Sequence, residues 1–227
     1  KEIKVTQAGK ITTDEAWKQT AFITVDENLL GADWQTVNEY MKKYKFEYTE
    51  HSNNVEDNDD TEGIHIEVVK DETLGYNVFK FNIHASADAD GNILVLDGDR
   101  GKREDRQRNE MKSRTGDGKH DVNGNWAEEQ KLEWKFKIPK GFRPTKKFTH
   151  IHQLKAQEGN NGSPIITISL RADDNQGKNS RVQIIHTGDA KESNKGTIID
   201  NLPLAEFEDE WIQVTTEMRY THDGSYY

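Results

Sequence analysis

A regular alternation of apolar and charged side chains is the feature that most constrains what this chain can fold into. Between residues 130 and 138, four apolar side chains alternate with four charged ones, and a Pro-Lys-Gly turn follows. A period of two is typical of a β-strand that buries one face and exposes the other. Similar short segments, separated by Gly, Asp and Asn turns, are predicted as strands at residues 64–69, 76–84, 93–96, 104–114, 148–154, 165–171, 181–186, 197–199 and 211–220.

About ten short strands with little helix predict an all-β fold, and more specifically a β-jelly roll, a concanavalin-like sandwich of two sheets. Helix is expected only near the N-terminus, in segments that begin at Thr13 and Asp33. No internal repeat or Pro-rich linker divides the 227 residues, so we interpret residues 1–227 as a single β-jelly-roll domain. Its last residues resemble the beginning of another strand, so we expect C-terminal strands to be missing.

The composition excludes several classes of protein. Without Cys there is neither a disulfide framework nor a thiolate metal site, and no apolar run approaches the roughly 20 residues that membrane insertion needs. A net charge of −10 disfavours nucleic acid as a partner.

The charge is unevenly distributed along the chain. Residues 100–155 contain 16 Lys and Arg against 8 Asp and Glu, and this basic segment is either a solvated edge or a site for an anionic ligand. The hydrophilic character favours a monomer that is secreted, periplasmic or displayed at the cell surface.

The most unusual predicted strand spans residues 106–114. Side chains alternate between the faces of a strand, so one face carries five charged residues, and the other face is polar as well. Neither face resembles an ordinary core face, and the pattern indicates either an anion-binding groove or an edge strand protected by charge. The charged residues are Arg106, Arg108, Glu110, Lys112 and Arg114.

A pair of histidines marks a second candidate strand. His150 and His152 are two residues apart, so regular alternation predicts that they share a face. They are candidates for proton transfer or for metal binding, although no third ligand has a convincing spacing, and histidines on strands are also often plain hydrogen-bonding residues. Further along, Thr167, Ser169 and Arg171 form a polar face that is expected to extend the groove.

The two motifs together resemble those of the jelly-roll polysaccharide lyases. The run from Arg108 to Lys112, Arg-Asn-Glu-Met-Lys, is similar to the Arg-Ser/Thr-Glu-Leu/Val-Arg strand of alginate lyases. The run from His150 to His152, His-Ile-His, is similar to their Gln-Ile-His strand and to the Gln-Trp-His strand of heparin lyase I. The order and separation of the motifs match, and the resemblance covers roughly residues 76–220, in a group that includes ulvan and glucuronan lyases.

The resemblance implies a carbon–oxygen lyase that cleaves a uronic-acid-containing polysaccharide by β-elimination and leaves an unsaturated uronate. This chemistry requires a group that neutralises the carboxylate, a base that removes the C5 proton, and an acid that protonates O4. By position in the motifs, Arg108 and Lys112 would bind substrate carboxylates, with Glu110 orienting them. Arg106, on the same predicted strand face, and Arg171, on the polar face that is expected to extend the groove, are further candidates for substrate binding. His150, in place of the family's Gln, would help neutralise the carboxylate, and His152 would be the base or an electrophilic partner to a tyrosine.

The acid is the least defined part of this predicted site. The family's acid is a Tyr in a Tyr-x-Lys-x-Gly-x-Tyr segment, which residues 220–226 match except that His222 replaces the Lys. The match implies Tyr226 as the acid. Alternatively, these residues form a hairpin turn around Asp223 and Gly224, and the acid lies beyond residue 227.

Two other functions remain open. A non-catalytic carbohydrate-binding jelly roll for anionic polysaccharide would keep the basic groove without a base, and a sandwich-fold glycoside hydrolase would need two carboxylates flanking the cleaved bond. No cofactor is required for elimination, and no catalytic metal is expected. A structural calcium ion is conceivable at acidic turns, which contain Asp57, Asp59, Asp60, Asp88 and Asp90.

Overall fold

The computed structural model describes residues 22–50, 65–82, 109–113, 122–157, 162–187 and 196–220. Within these ranges one α-helix, α1 (Trp34–Lys43), and two short 3-10 helices, Glu27–Leu29 and Leu204–Glu206, accompany ten strands. All strand pairs are antiparallel, so the prediction of an all-β fold with a little helix near the N-terminus is confirmed. The strands are β1 (Phe46–Glu50), β2 (Ile66–Asp71), β3 (Tyr76–Phe81), β4 (Glu110–Ser113), β5 (Glu129–Phe136), β6 (Thr149–Leu154), β7 (Ile166–Arg171), β8 (Arg181–His186), β9 (Gly196–Pro203) and β10 (Ile212–Arg219).

The described residues form two compact units, whose boundary lies between Asn123 and Gly124. The N-terminal unit contains α1 and β1–β4, and the C-terminal unit contains β5–β10. Each has its own hydrophobic core. The interpretation of residues 1–227 as a single domain stays a prediction. In the described part of the chain, no helix has the length and apolar character needed to cross a bilayer.

Helix α1 organises the core of the N-terminal unit. It begins after Asp33, whose carboxylate accepts a hydrogen bond from the backbone N–H of Thr36 at 2.8 Å, a standard N-cap that satisfies an otherwise unpaired donor. Val37 and Met41, four residues apart and therefore on one face of the helix, are fully buried. They pack with Tyr48 of β1 and with residues of β2, so the helix covers one side of the strands.

Strand β4 has an ordinary core face, which the sequence did not suggest. Met111 lies opposite Tyr48 in the pairing of β4 with β1 and packs against the same core cluster. Lys112, on the other face, is exposed and lies opposite Glu47. The expectation that neither face packs on a core is therefore wrong for Glu110–Ser113. Arg106, Arg108 and Arg114 lie outside the described residues.

The C-terminal unit consists of two β layers. One is a four-stranded sheet in the order β6-β7-β8-β9, and the other is the pair β5–β10. Leu132, Trp134 and Phe136 of β5 face the core, which confirms the buried face predicted from the alternation at residues 130–138. Between the layers they meet apolar side chains of the larger sheet, and this core includes Ile138, Ile166, Ile168, Leu170, Val182, Leu202, Leu204, Phe207, Ile212, Val214 and Met218.

Candidate functional site

A β-bulge in β6 separates the two histidines. His150 pairs with Ser169 of β7, whereas His152 pairs with Ile168, so Ile151 is an extra residue on β6. Because Ser169 and Ile168 are consecutive, their side chains point to opposite faces of the sheet, and the histidines beside them do the same. The prediction that His150 and His152 share a face is wrong.

The packing of two apolar side chains explains the bulge in β6. Ile151 and Leu154 both pack against the apolar core, although they are three residues apart. In a regular strand, residues at an odd spacing lie on opposite faces. The extra residue changes the phase of the alternation, so that both apolar side chains reach the core.

His150 lies on the polar face of the four-stranded sheet and is exposed. Its Nδ1 is 2.5 Å from the Ser169 hydroxyl oxygen, and its ring stacks on Phe148 with centroids 4.5 Å apart and planes 13° from parallel. Although part of the residue is exposed, burial of its ring, followed by the positive charge of Arg171, lowers the pKa of His150. The imidazole is therefore neutral at neutral pH and held on two sides, with Nε2 opposite the anchored nitrogen.

His152 lies on the other face of the sheet, the one that packs against the core. Its ring stacks on Trp134 with centroids 4.8 Å apart, and Trp134 packs against the core between the layers. Burial lowers the pKa of His152 to about 4, because an apolar environment disfavours the charged imidazolium. These contacts are those of a packing residue, and its assignment as the catalytic base stays a prediction that this geometry does not favour.

Arg171 is the cation that accompanies His150 on the polar face. Its Nε donates to Gln183 Oε1 at 2.8 Å, and Gln183 Nε2 in turn donates to Asp200 Oδ1 through a short hydrogen bond. Within the described ranges, Arg171 makes no other hydrogen bond or ion pair. A guanidinium oriented through its Nε can bind a carboxylate in a bidentate manner through its Nη groups.

The hydrogen-bonded network continues away from His150 along β8 and β9. Asp200 also accepts from Arg181 Nε at 3.4 Å, and Arg181 Nη1 donates to Asp173 at 2.8 Å. The hydrogen bonds from Gln183 and Arg181 outweigh desolvation and keep the pKa of Asp200 below its ordinary value. Asp200 is thus an ionised group that orients Gln183 and, through it, Arg171.

The close contact between Ser169 and His150 is not a nucleophile–base pair. Ser169 is completely buried, with 0% of its surface exposed. A substrate carbonyl therefore has no access to its hydroxyl oxygen, and covalent catalysis needs that access. The hydroxyl instead anchors the imidazole on the sheet.

The structure brings together only some of the residues that the sequence singled out. His150 and Arg171 share the polar face, on which Ser169 pairs with His150. Thr167 and Ser169, expected to extend the groove, are both buried. Glu110 and Lys112 belong to the N-terminal unit, so the expectation that their strand faces the histidines stays a prediction. Tyr226 and the Asp residues considered for calcium lie outside the described residues, and no cluster of potential metal ligands occurs within them.

Tyr220, the other tyrosine of the predicted acid segment, is a core residue. Its hydroxyl donates to Gln130 Oε1 at 2.6 Å, and its ring packs directly against Gly124, where any side chain would clash with it. Burial and the charge of Glu128 raise the pKa of Tyr220 to about 12. A phenol in this position stabilises the fold and is not available to a substrate.

Three residues of the site were missed by sequence interpretation: Gln183, Asp200 and Phe148. Gln183 had a signal, because it is the polar residue between Val182 and Ile184 in an alternating strand. Comparison with protein-family models, curated proteins and solved structures found no match, so the geometry itself carries the functional proposal.

Proposed function

We propose that this protein is a polysaccharide lyase that cleaves a uronate-containing polysaccharide by β-elimination, with His150 and Arg171 at the centre of its site. The observation that carries the proposal is the placement of an imidazole, anchored by Ser169, on the same sheet face as a guanidinium that Gln183 orients. The resemblance of the two sequence motifs to jelly-roll lyases supports the same chemistry. A complete jelly roll around the two-layered C-terminal unit is part of this proposal.

Arg171 provides the first requirement of the reaction. A C5 proton is weakly acidic until the neighbouring carboxylate is neutralised, because the electron pair left on C5 is delocalised into that group. The Nη groups of Arg171 would pair with the carboxylate oxygens and stabilise this negative charge. Gln183 and Asp200 act as positioning residues, since they hold the guanidinium in one orientation.

His150 provides the base. Its Nε2 takes the C5 proton, the electron pair forms the C4–C5 double bond, and the C4–O4 bond breaks. This role requires the tautomer in which Nδ1–H donates to Ser169, which leaves the Nε2 lone pair free. As the resemblance implies, the acid that protonates O4 would be Tyr226, and Arg108 and Lys112, oriented by Glu110, would bind substrate carboxylates. Arg106, on the same predicted strand face, would bind substrate with them.

The test is the appearance of unsaturated uronate by ultraviolet absorbance on alginate, glucuronan, ulvan and heparin-type polymers. We expect His150→Ala to lower kcat by roughly 10²–10⁴-fold, the usual contribution of a general base. His152→Phe, which keeps a ring against Trp134, should retain most of the activity. The reverse result would assign the base to His152, and no absorbance with any of these polymers would reject the lyase proposal.

A carbohydrate-binding module without catalysis is the second candidate. Arg171 and His150 suffice to bind a uronate, and no acid faces them among the described residues. Calorimetric binding of a uronate polymer without turnover, lost in Arg171→Gln, would support it. A glycoside hydrolase is less well supported, because Asp173 and Asp200 are both ion-paired to Arg181 and have lowered pKa values, and a general acid needs a raised one.

A further inference from the structure

The loop before β6 places an exposed aromatic ring next to the proposed base. Phe148 stacks one face of its ring on His150, yet 44% of its surface remains exposed. A phenyl ring at the entrance to a strand would normally turn towards the core. Here Phe148 lies with His150 on the polar face, because side chains two residues apart in an extended segment share a face.

This loop is held in place by hydrogen bonds. Thr145 Oγ1 donates to the carbonyl oxygen of Phe148 at 3.0 Å and accepts from its N–H at 3.2 Å. The carbonyl oxygen of Thr145 also accepts from the N–H of Ala172 at 3.2 Å, which ties the loop to the residue that follows Arg171. Phe148 is therefore presented next to the proposed site by a fixed backbone.

Two cations belong to the same loop. Lys146 and Lys147 directly precede Phe148, and both are exposed. The N–H of Lys146 donates to Asn175 Oδ1 at 3.3 Å. Within the described ranges, no carboxylate pairs with either ammonium group. An aromatic face next to unpaired positive charge suits a sugar that carries a carboxylate, because apolar C–H groups of the sugar ring pack on the aromatic ring while the carboxylate meets a cation.

We propose that Phe148, Lys146 and Lys147 form a second subsite, which binds the uronate unit next to the one at His150 and Arg171. The outer face of Phe148 stacks on the sugar ring, and the lysines pair with its carboxylate. This inference rests on the proposed function, and it adds an extended, anionic oligosaccharide as the ligand. Its energetic contribution lies in binding, since none of the three residues touches the reacting bond.

The test measures kcat and KM on size-defined oligouronates. We expect Phe148→Ala to raise KM for a hexasaccharide roughly tenfold, which corresponds to about 1.4 kcal/mol. Its kcat should fall as well, because His150 loses one of its two contacts. Phe148→Tyr should restore the KM of the wild type. Trp126→Ala removes another exposed aromatic side chain of the same unit and serves as the matched control. Lys146→Gln with Lys147→Gln should weaken the dependence of KM on salt.

Two results would overturn the subsite. One is an unchanged KM in Phe148→Ala with unchanged kcat, and the other is a lowered kcat with an unchanged KM, which would make Phe148 a positioning residue for His150 alone. Failure of the proposed function is distinguishable from these, because it would appear as full activity in His150→Ala or as no lyase activity in the wild type. In the inactive case, calorimetric titration of the wild type and Phe148→Ala with the same hexasaccharide still tests the subsite, and equal affinities would reject it.

Discussion

The two faces of the four-stranded sheet place similar residues in opposite physical environments. On the polar face, His150 is exposed, bonded to Ser169 and close to Arg171. On the apolar face, His152 is stacked on Trp134, where burial lowers its pKa to about 4. The same residue type therefore has a different environment on each face of the sheet. One inserted residue in β6 determines which histidine is available to a ligand and which is part of the core.

The adjacent residues Leu170 and Ser169 offer the strongest test of this difference, since both are 0% exposed but face opposite sides of β7. Leu170→Ala removes apolar atoms from the core between the layers and leaves a cavity. We expect it to lower the free energy of unfolding by about 3 kcal/mol, within the usual range for such substitutions. Urea denaturation measures the change, with Lys135→Ala on an exposed position of β5 as the control. A loss of less than about 1 kcal/mol would contradict the assignment of this face as the core.

The buried histidine predicts a second, pH-dependent effect. The pKa of His152 is about 4 in the folded protein and near 6.5 when unfolded, so between these values the unfolded chain binds the extra proton. The contribution of His152 to the free energy of unfolding is therefore fully present above about pH 6.5 and is lost as the pH falls towards 4. The loss attributable to this group is about 3 kcal/mol, and His152→Phe, which cannot be protonated, should remove it.

The measurement is the free energy of unfolding of both proteins across this pH range. His150 and His186, whose pKa values are also lowered by burial, are present in both proteins and cancel in the difference. Parallel pH curves for wild type and His152→Phe would mean that His152 is solvated, and the contrast between the two faces would then disappear.

Most of the fold could be predicted from the sequence because it follows from local patterns. The alternation around Trp134 predicted β5 and its buried face, and the amphipathic segment that begins at Asp33 predicted α1. The order of the strands within the sheets could not be predicted in the same way, because the period of a single strand does not show which distant strand it pairs with.

The site was predicted only in part, for a physical reason. His-Ile-His alternates regularly, so nothing within it indicates a bulge. The signal was the odd spacing of Ile151 and Leu154, which two core residues on a regular strand cannot have. In β4, Met111 alone did not look like a core face, because its burial depends on Tyr48 of a strand distant in sequence.

Ser169 gives the smallest and most specific test of the polar face. Ser169→Ala removes the hydroxyl that holds His150 Nδ1, and the loss of one hydrogen bond should cost about 1 kcal/mol of stability. This is well below the effect of Leu170→Ala, although both side chains are equally buried. Because the imidazole also loses its anchor, kcat should fall roughly tenfold while KM changes little, and Ser169→Thr, which retains a hydroxyl, should recover much of the rate. If Ser169→Ala leaves kcat unchanged, the hydroxyl does not orient the base, and the contact with Phe148 alone positions His150.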